Sequence, residues 1–585
     1  VGYQTLVSQT NASTVDTYNV MVGYNAGYSI TTGQKNVGVG GLVLDTVTTG
    51  EGNVAMGYNA GTAITTGNNN VAIGNAALDA NNTASNNVAI GVNSLTQNST
   101  GTDNVAVGAY ALDANTTGDG NTAVGDNALG AVTTASNNTA VGKSCLINNT
   151  GTTNTAYGFA AMSANATTAS NNTAVGYTAL LANTTGTQNA ALGAYCLDAN
   201  TTGSYNTGIG YNNLTSNTTG QSNTAVGFEA LKDNVSGQSN TAVGVYALFD
   251  NTASNNTAVG RDALKLNTSG TGNTAVGRES LDACTTGNNN TAHGSRALGG
   301  TTTGSQNVAV GERALHSNTT ANNNTAVGYL ALLSCTTGTM NTAVGVGALD
   351  TVTTNGYNTA IGGDALTNCT GAYNTVVGTY AGNNVSTGST NTFMGYQAGH
   401  YSTSITTGAD NICIGAYAHA NAADALSQLV FGYNAEGQGN STVTFGYGTT
   451  DLSCALNSTS WSNPSDIRLK ENIEDEKIGL SFINDLRPVT FKWKKEKDIP
   501  SELKAHVPDS EKRVMGGGSH HGFIAQEVKE AIDKYDFKDG FDMWTEDETD
   551  GRQRVGESAL LPIMVKAVQE LSAEVEELKK QLENK

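Results

Sequence analysis

The chain has 585 residues and a formal net charge of −21, and it contains 71 Gly but only 5 Pro. Its acidic balance argues against nucleic acid as a partner. No apolar run approaches membrane-spanning length and no signal peptide is visible, so membrane insertion is not expected. Charge is uneven: residues 1–450 hold 8 Lys/Arg and 21 Asp/Glu, while 451–585 hold 20 and 28.

From the N-terminus to about residue 440 the chain repeats one sequence motif, N-T-A-V-G-x-x-A-L. Its opening Asn recurs from Asn19 to Asn411, mostly in steps of 17 residues. A fixed short period indicates a solenoid. The Gly and Thr-Gly residues that recur within each repeat exclude a long helix. The predicted fold of residues 1–440 is an all-β repeat solenoid, a trimeric β-roll or β-helix rod of ~17-residue coils about 115 Å long.

Within each coil, numbered from its Asn, positions 2 to 4 form a short strand. Aliphatic residues at positions 4 and 9 are expected to fill the coil interior. The small position 3 is then expected on the outer face, against a sister chain. Alanines such as Ala123, Ala225 and Ala326 are therefore predicted at a tight interface of a parallel homotrimer. Position 12, often Asn, predicts a stacked amide ladder.

Proline and cysteine usage fit this interpretation. Every proline follows the repeats, as expected where strands hydrogen-bond on both sides. The cysteines occupy slots for small buried residues, such as position 8 for Cys145 and Cys196, without metal-ligand spacing. Core packing is therefore expected, with no metal or cofactor. The V-A-I-G wording also resembles the head repeats of trimeric autotransporter adhesins, which form trimeric β-rolls.

Residues 441–464 read as the rod end and a linker. The repeat is already broken by an insertion around His400 to Thr407. Because irregular loops usually carry binding, receptor contact is predicted near residues 395–460. The chain begins inside a repeat without Met, so it is expected to be a piece of a longer protein.

Residues 465–585 predict a small α+β domain. A helix is expected from Ile478 to Leu486, then a strand through Val489 and Trp493, a loop over 494–519, and a second helix after Ala525. The last helix, about 559–584, carries apolar residues at alternating spacings of 3 and 4. These residues are Leu561, Met564, Val568, Leu571, Val575, Leu578 and Leu582. Such a heptad seam predicts a coiled coil, although three heptads alone do not choose between two and three strands.

Four ordered motifs in this region carry a family resemblance: S-D-I-R-L-K-E-N-I, L-R-P-V-T-F-K-W, H-G-F-I-A-Q-E-V and the terminal coiled coil. Residues 464–585 resemble the intramolecular chaperone domain of endosialidases and other phage tail spikes and fibres. The resemblance implies that the domain drives trimerisation of the stalk before it and then releases itself by autoproteolysis. Carried over, the scissile bond is Pro464–Ser465, with Ser465 as nucleophile and Lys470 as its base. His521 is a candidate helper, with a structural hydrogen bond as the equal alternative.

The residues alone allow this chemistry without requiring it. A Ser hydroxyl needs a base, and a desolvated, neutral Lys can serve. A spacing of five residues places the two side chains on different faces of a helix or strand, so a turn or a sister subunit must close the dyad. Without the resemblance, Ser465 would be interpreted as a helix N-cap beside Asp466.

The favoured function is a phage tail fibre or side-fibre segment that attaches to a host. Its partners would be two sister chains, other tail proteins reached through the preceding segment, and a host receptor, with glycan as a candidate. Its place would be the virion, after assembly in the host cytoplasm. The alternatives are a cell-surface adhesin and an ice- or glycan-binding face. A glycan hydrolase is disfavoured, because the acids Glu229, Glu279 and Glu312 are scattered rather than paired.

Overall fold

The structure, a computed structural model, describes residues 2–10, 16–164, 168–448, 450–458, 461–462, 465–535, 543–547 and 550–584. Its contacts divide the chain into two compact units, Val1–Pro464 and Ser465–Lys585, each with its own hydrophobic core.

The first unit is a β-solenoid of about 25 turns with coils of about 17 residues, as the repeat predicts. Each coil contributes one strand of three residues, and consecutive strands pair in parallel, as Thr224 pairs with Thr241. The strands are β1 (Val20–Val22), β2 (Val37–Val39), β3 (Val54–Met56), β4 (Val71–Ile73), β5 (Val88–Ile90), β6 (Val105–Val107), β7 (Thr122–Val124), β8 (Thr139–Val141), β9 (Thr155–Tyr157), β10 (Thr173–Val175), β11 (Ala190–Leu192), β12 (Thr207–Ile209), β13 (Thr224–Val226), β14 (Thr241–Val243), β15 (Thr257–Val259), β16 (Thr274–Val276), β17 (Thr291–His293), β18 (Val308–Val310), β19 (Thr325–Val327), β20 (Thr342–Val344), β21 (Thr359–Ile361), β22 (Thr375–Val377), β23 (Thr392–Met394), β24 (Ile412–Ile414) and β25 (Leu429–Phe431).

The strands face the opposite way from the sequence prediction. Position 3 points into the coil, and Ala123, Ala225 and Ala326 are fully buried within a single chain. Position 4 points outward, so Val124 is only partly buried. The predicted alanine interface between sister chains is therefore wrong, as is the interior place of position 4. The prediction for position 9 is confirmed, because residues such as Leu129 fill the interior.

The physical reason is the small volume inside a coil. Leu at position 9 occupies most of that volume, which leaves room only for Ala on the strand opposite it. Where position 9 is Gly399, the strand carries the large, fully buried Phe393 instead. A Cβ added to Gly399 would lie 2.8 Å from the Phe393 ring. The two positions thus exchange volume and keep the interior filled.

Buried amides connect the coils. At position 12 the predicted ladder is confirmed, since Asn217 Nδ2 donates to Asn200 Oδ1 at 2.8 Å. Position 1 forms a second ladder that the sequence analysis did not foresee. There Asn223 Nδ2 donates to the Gly237 carbonyl at 2.9 Å, and its Oδ1 accepts from the Asn240 N–H at 3.0 Å. Each side chain therefore satisfies backbone groups that the tight turns leave unpaired.

The rod changes character in its last coils. The coil from Asn391 to Asn411 takes 20 residues instead of 17, and Ser404 Oγ closes its insertion by donating to the His400 carbonyl at 2.7 Å. Strand β26 (Thr442–Tyr447) continues the parallel sheet from β25 and then pairs antiparallel with β27 (Thr450–Ala455). This hairpin replaces the coil.

The second unit is small and mixed. Its elements are the 3-10 turn η1 (Ile467–Leu469), α1 (Leu480–Asp485), β28 (Val489–Phe491), η2 (Glu496–Asp498), β29 (His520–Gly522), α2 (Ala525–Lys534), β30 (Trp544–Glu546), β31 (Gln553–Val555), η3 (Glu557–Ala559) and α3 (Leu560–Glu583). The hairpin-like pairs β28–β29 and β30–β31 are antiparallel. The three helices enclose a core that includes Phe482, Val528 and Ile563.

Candidate active site

Ser465 and Lys470, the two residues that the sequence analysis named as a dyad, lie side by side in the second unit. Lys470 Nζ donates a hydrogen bond to Ser465 Oγ at 2.7 Å. This separation is already within the range needed for proton transfer between a nucleophile and its base. The structure therefore brings the pair together within one chain.

The turn η1 closes the dyad. It begins after Asp466, whose carboxylate accepts from the Arg468 N–H at 2.9 Å, and ends where the Lys470 N–H donates to the Ile467 carbonyl at 3.2 Å. A short 3-10 turn brings residues at its two ends close together, which neither a longer helix nor a strand would do at this spacing. Asp466, and not Ser465, is the N-cap.

Arg468 reinforces this cap. Its guanidinium donates to Asp466 Oδ2 at 2.6 Å and to Oδ1 at 3.0 Å. These hydrogen bonds lower the pKa of the Asp466 carboxyl, so it stays ionised and able to accept them at neutral pH. Sequence reasoning missed this role, although Asp followed two residues later by Arg was the signal.

Ser465 and Lys470 are both exposed to solvent in the single chain. A lysine is a base only as a neutral amine, and burial favours that form. The other half of the predicted scissile bond, Pro464, lies outside the described residues.

His521 lies on β29, where its Nδ1 is 3.3 Å from Thr490 Oγ1 on β28. Across the residues that the structure describes, no hydrogen bond joins His521 to Ser465 or Lys470. Its helping role stays a prediction, and the contact with Thr490 fits the structural alternative.

Helix α3 has two apolar faces. One face, with Leu560, Ile563 and Ala567, is buried in the core of the second unit. The other is the predicted heptad seam, whose members range from 42% exposed at Val575 to 75% at Leu582. The long helix is thus anchored on its own domain while it presents a continuous apolar stripe to solvent.

The described ranges hold neither a cluster of metal ligands nor a membrane-spanning helix. No cluster of three or more His, Cys, Asp or Glu side chains suited to a metal ion occurs there. None of the helices in those ranges combines the length and apolarity needed to cross a bilayer.

Comparison with known proteins identifies the second unit. Residues 465–537 match the family model described as chaperone of endosialidase. No curated protein and no solved structure matches the chain. The chain therefore joins a β-solenoid rod to a domain of the endosialidase-chaperone type.

Proposed function

We propose that this chain is a segment of a phage tail fibre whose C-terminal domain assembles three copies and then cuts itself off before Ser465. The observation that carries the proposal is the hydrogen bond between Lys470 Nζ and Ser465 Oγ at the first residue of the matched domain. The rod of uniform coils would act as a spacer. The other binding partners of the chain would be further tail proteins and a host surface. The assembled protein belongs to the virion.

Assembly begins at α3. Its exposed seam keeps the heptad register over its whole length, and an apolar stripe of this kind is stabilised by equivalent helices. Two further copies in parallel would cover it and align the rods from the same end. Between rods, the residues available for contact are those at position 4, such as Met56, Ile209 and Met394, which are 42–51% exposed.

Cleavage follows as an intramolecular reaction. Ser465 Oγ attacks the Pro464 carbonyl carbon while its proton passes to Lys470 Nζ. The bond from Pro464 carbon to Ser465 nitrogen then breaks, the nitrogen takes the proton, and an ester on Oγ remains. Water hydrolyses that ester to a Pro464 carboxylate and a new Ser465 N-terminus. Proximity replaces the substrate-binding groups of an ordinary protease.

Neighbouring copies would also activate the base. Because the single chain leaves Lys470 in water, burial of the dyad by a second copy is the step that favours its neutral amine. Cleavage is thereby coupled to assembly, and an unassembled chain stays whole.

The test is the mass of the purified chain, measured intact and by light scattering. We expect a trimer that contains two fragments, residues 1–464 and 465–585. Ser465→Ala and Lys470→Ala should leave full-length trimers. The matched substitutions Ser481→Ala and Lys477→Ala, at exposed sites of the same unit, should leave cleavage intact. A full-length wild-type trimer, or cutting at this bond in Ser465→Ala, refutes self-cleavage, and a wild-type monomer refutes assembly.

A further inference from the structure

A cavity of about 260 Å³ opens at the end of the rod, where the coils lose their regularity. Its walls come from the enlarged coil, the two coils after it and the closing hairpin. The lining residues include Tyr401, His419, Asn434, Glu436, Gln438 and Asp451. All of them belong to the first unit.

One wall is an aromatic platform. Tyr401, 43% exposed, packs its ring 4.7 Å from Tyr417 and 6.0 Å from His419. His419 is itself buried, and its Nδ1 lies 2.9 Å from the Tyr417 carbonyl oxygen. The Tyr401 ring is therefore held by its neighbours and needs little ordering when a ligand packs against it.

The remaining lining residues are rich in hydrogen-bond acceptors. Glu436 and Asp451 supply carboxylates, while Asn434 and Gln438 supply amides. No Lys or Arg is among the described lining residues. The site thus accepts hydrogen bonds from neutral donors, and the two carboxylates repel an anion.

We propose that this cavity binds one neutral hexopyranose unit of a surface glycan. A pyranose ring has an apolar C–H face, which suits an aromatic platform, and several hydroxyls, which suit carboxylate and amide acceptors. A confined site with a few convergent polar groups is the usual form of a small-ligand site. The proposal rests on the attachment function above and names the ligand class for it.

Saturation-transfer NMR on the full chain tests the idea. The probes are the methyl pyranosides of glucose, galactose, mannose and N-acetylglucosamine, with N-acetylneuraminic acid as the anionic comparison. At least one neutral glycoside should bind, and the acid should not. Tyr401→Ala should weaken binding about tenfold, because an aromatic contact is lost. Asp451→Asn, which keeps the shape of the cavity, should weaken it as well.

Two control variants separate this site from the rest of the rod. Tyr205→Ala removes a tyrosine that is even more exposed than Tyr401, and Asp119→Asn removes an exposed carboxylate, both from regular coils. Both should bind as the wild type does. Binding that survives Tyr401→Ala and Asp451→Asn, or no binding of any neutral glycoside, overturns the proposal.

The attachment function can fail separately. A trimeric, self-cleaved chain that binds none of the sugars would remove this cavity as a site and leave the tail-fibre proposal. Sugar binding by a chain that stays monomeric and whole would support the cavity and remove the tail-fibre proposal.

Discussion

The glycine at position 5 of each coil offers the sharpest test of the solenoid. Gly362 has a φ of +141°, and a Cβ added to it would lie 2.5 Å from the backbone carbon and oxygen of Gly378 in the next coil. Its neighbour Gly363 lacks this conformation, and its nearest contact would be Thr379 Cγ2 at 3.8 Å. The two adjacent glycines therefore differ both in backbone conformation and in the space available for a Cβ, which together decide the free-energy cost of an added side chain.

Gly362→Ala should destabilise the coil strongly. The disfavoured φ costs about 1–3 kcal/mol and the forced separation of two backbones about 1–3 kcal/mol more. Gly363→Ala makes only ordinary contact and restricts the unfolded chain, so it should be neutral or stabilising by about 0.4–1 kcal/mol. Because coils interact mainly with their neighbours, the damage should stay near β21 and β22.

Hydrogen exchange followed by mass spectrometry on the full chain measures this directly. A loss of about 2 kcal/mol or more corresponds to roughly thirtyfold faster exchange in peptides that span β21 and β22. Peptides from the distant strands β5 to β10 serve as the internal reference. Equal exchange in Gly362→Ala and Gly363→Ala would contradict the close stacking of coils.

Four further predictions concern polar groups. Asn223→Ala leaves buried backbone groups in adjacent coils unpaired and should cost about 2–6 kcal/mol, seen as local loss of exchange protection. Glu570→Ala removes the carboxylate that accepts from the Leu480 N–H at 2.7 Å, and should destabilise the second unit by about 1 kcal/mol in thermal unfolding. Burial raises the pKa of Asp113, so the folded chain binds this proton more tightly than the unfolded chain does. The stability linked to the proton is therefore lost as the pH rises above about 3.9 and through the raised pKa, and Asp113→Asn should make the rod's melting temperature less dependent on pH in that range. In the second unit the lysines lower the pKa of Glu511 to about 2, so this unit should lose stability as pH falls below about 4.3.

The parts of the fold that could be predicted are those that the chain repeats. The spacing from Asn19 onward fixes the coil length, and the alternation from Leu561 to Leu582 fixes the last helix, because many copies of a weak signal point to one period. The strand direction could not be predicted in this way. Thr-Ala-Val has no clear contrast between polar and apolar faces, and a change of one residue in phase exchanges inside and outside.

The dyad and the cavity, like the strand direction, depend on local geometry that the repeat period does not predict. Ser465 and Lys470 were named from a resemblance, but their contact depends on a 3-10 turn that no periodicity indicates. The cavity joins residues from Tyr401 to Asp451 that meet only because irregular coils stack. The broken repeat in the sequence locates this region of the rod. It does not predict which side chains meet there, because that depends on how each coil is aligned with the next.

The corrected strand direction changes what the C-terminal domain must do. Each coil buries its own Ala and Leu and satisfies its own amides, so the core of a rod does not depend on a sister chain. In the proposed trimer the rods alone would not set their own alignment, because a shift by one coil places Val opposite Val and Thr opposite Thr. A heptad seam at one end would oppose such a shift. A displacement by one coil is about 4.8 Å, or about three residues of a helix, which does not match the seven-residue repeat of the seam. The proposed chaperone therefore acts on register rather than on the folding of the coils, and its removal after assembly would leave an aligned rod.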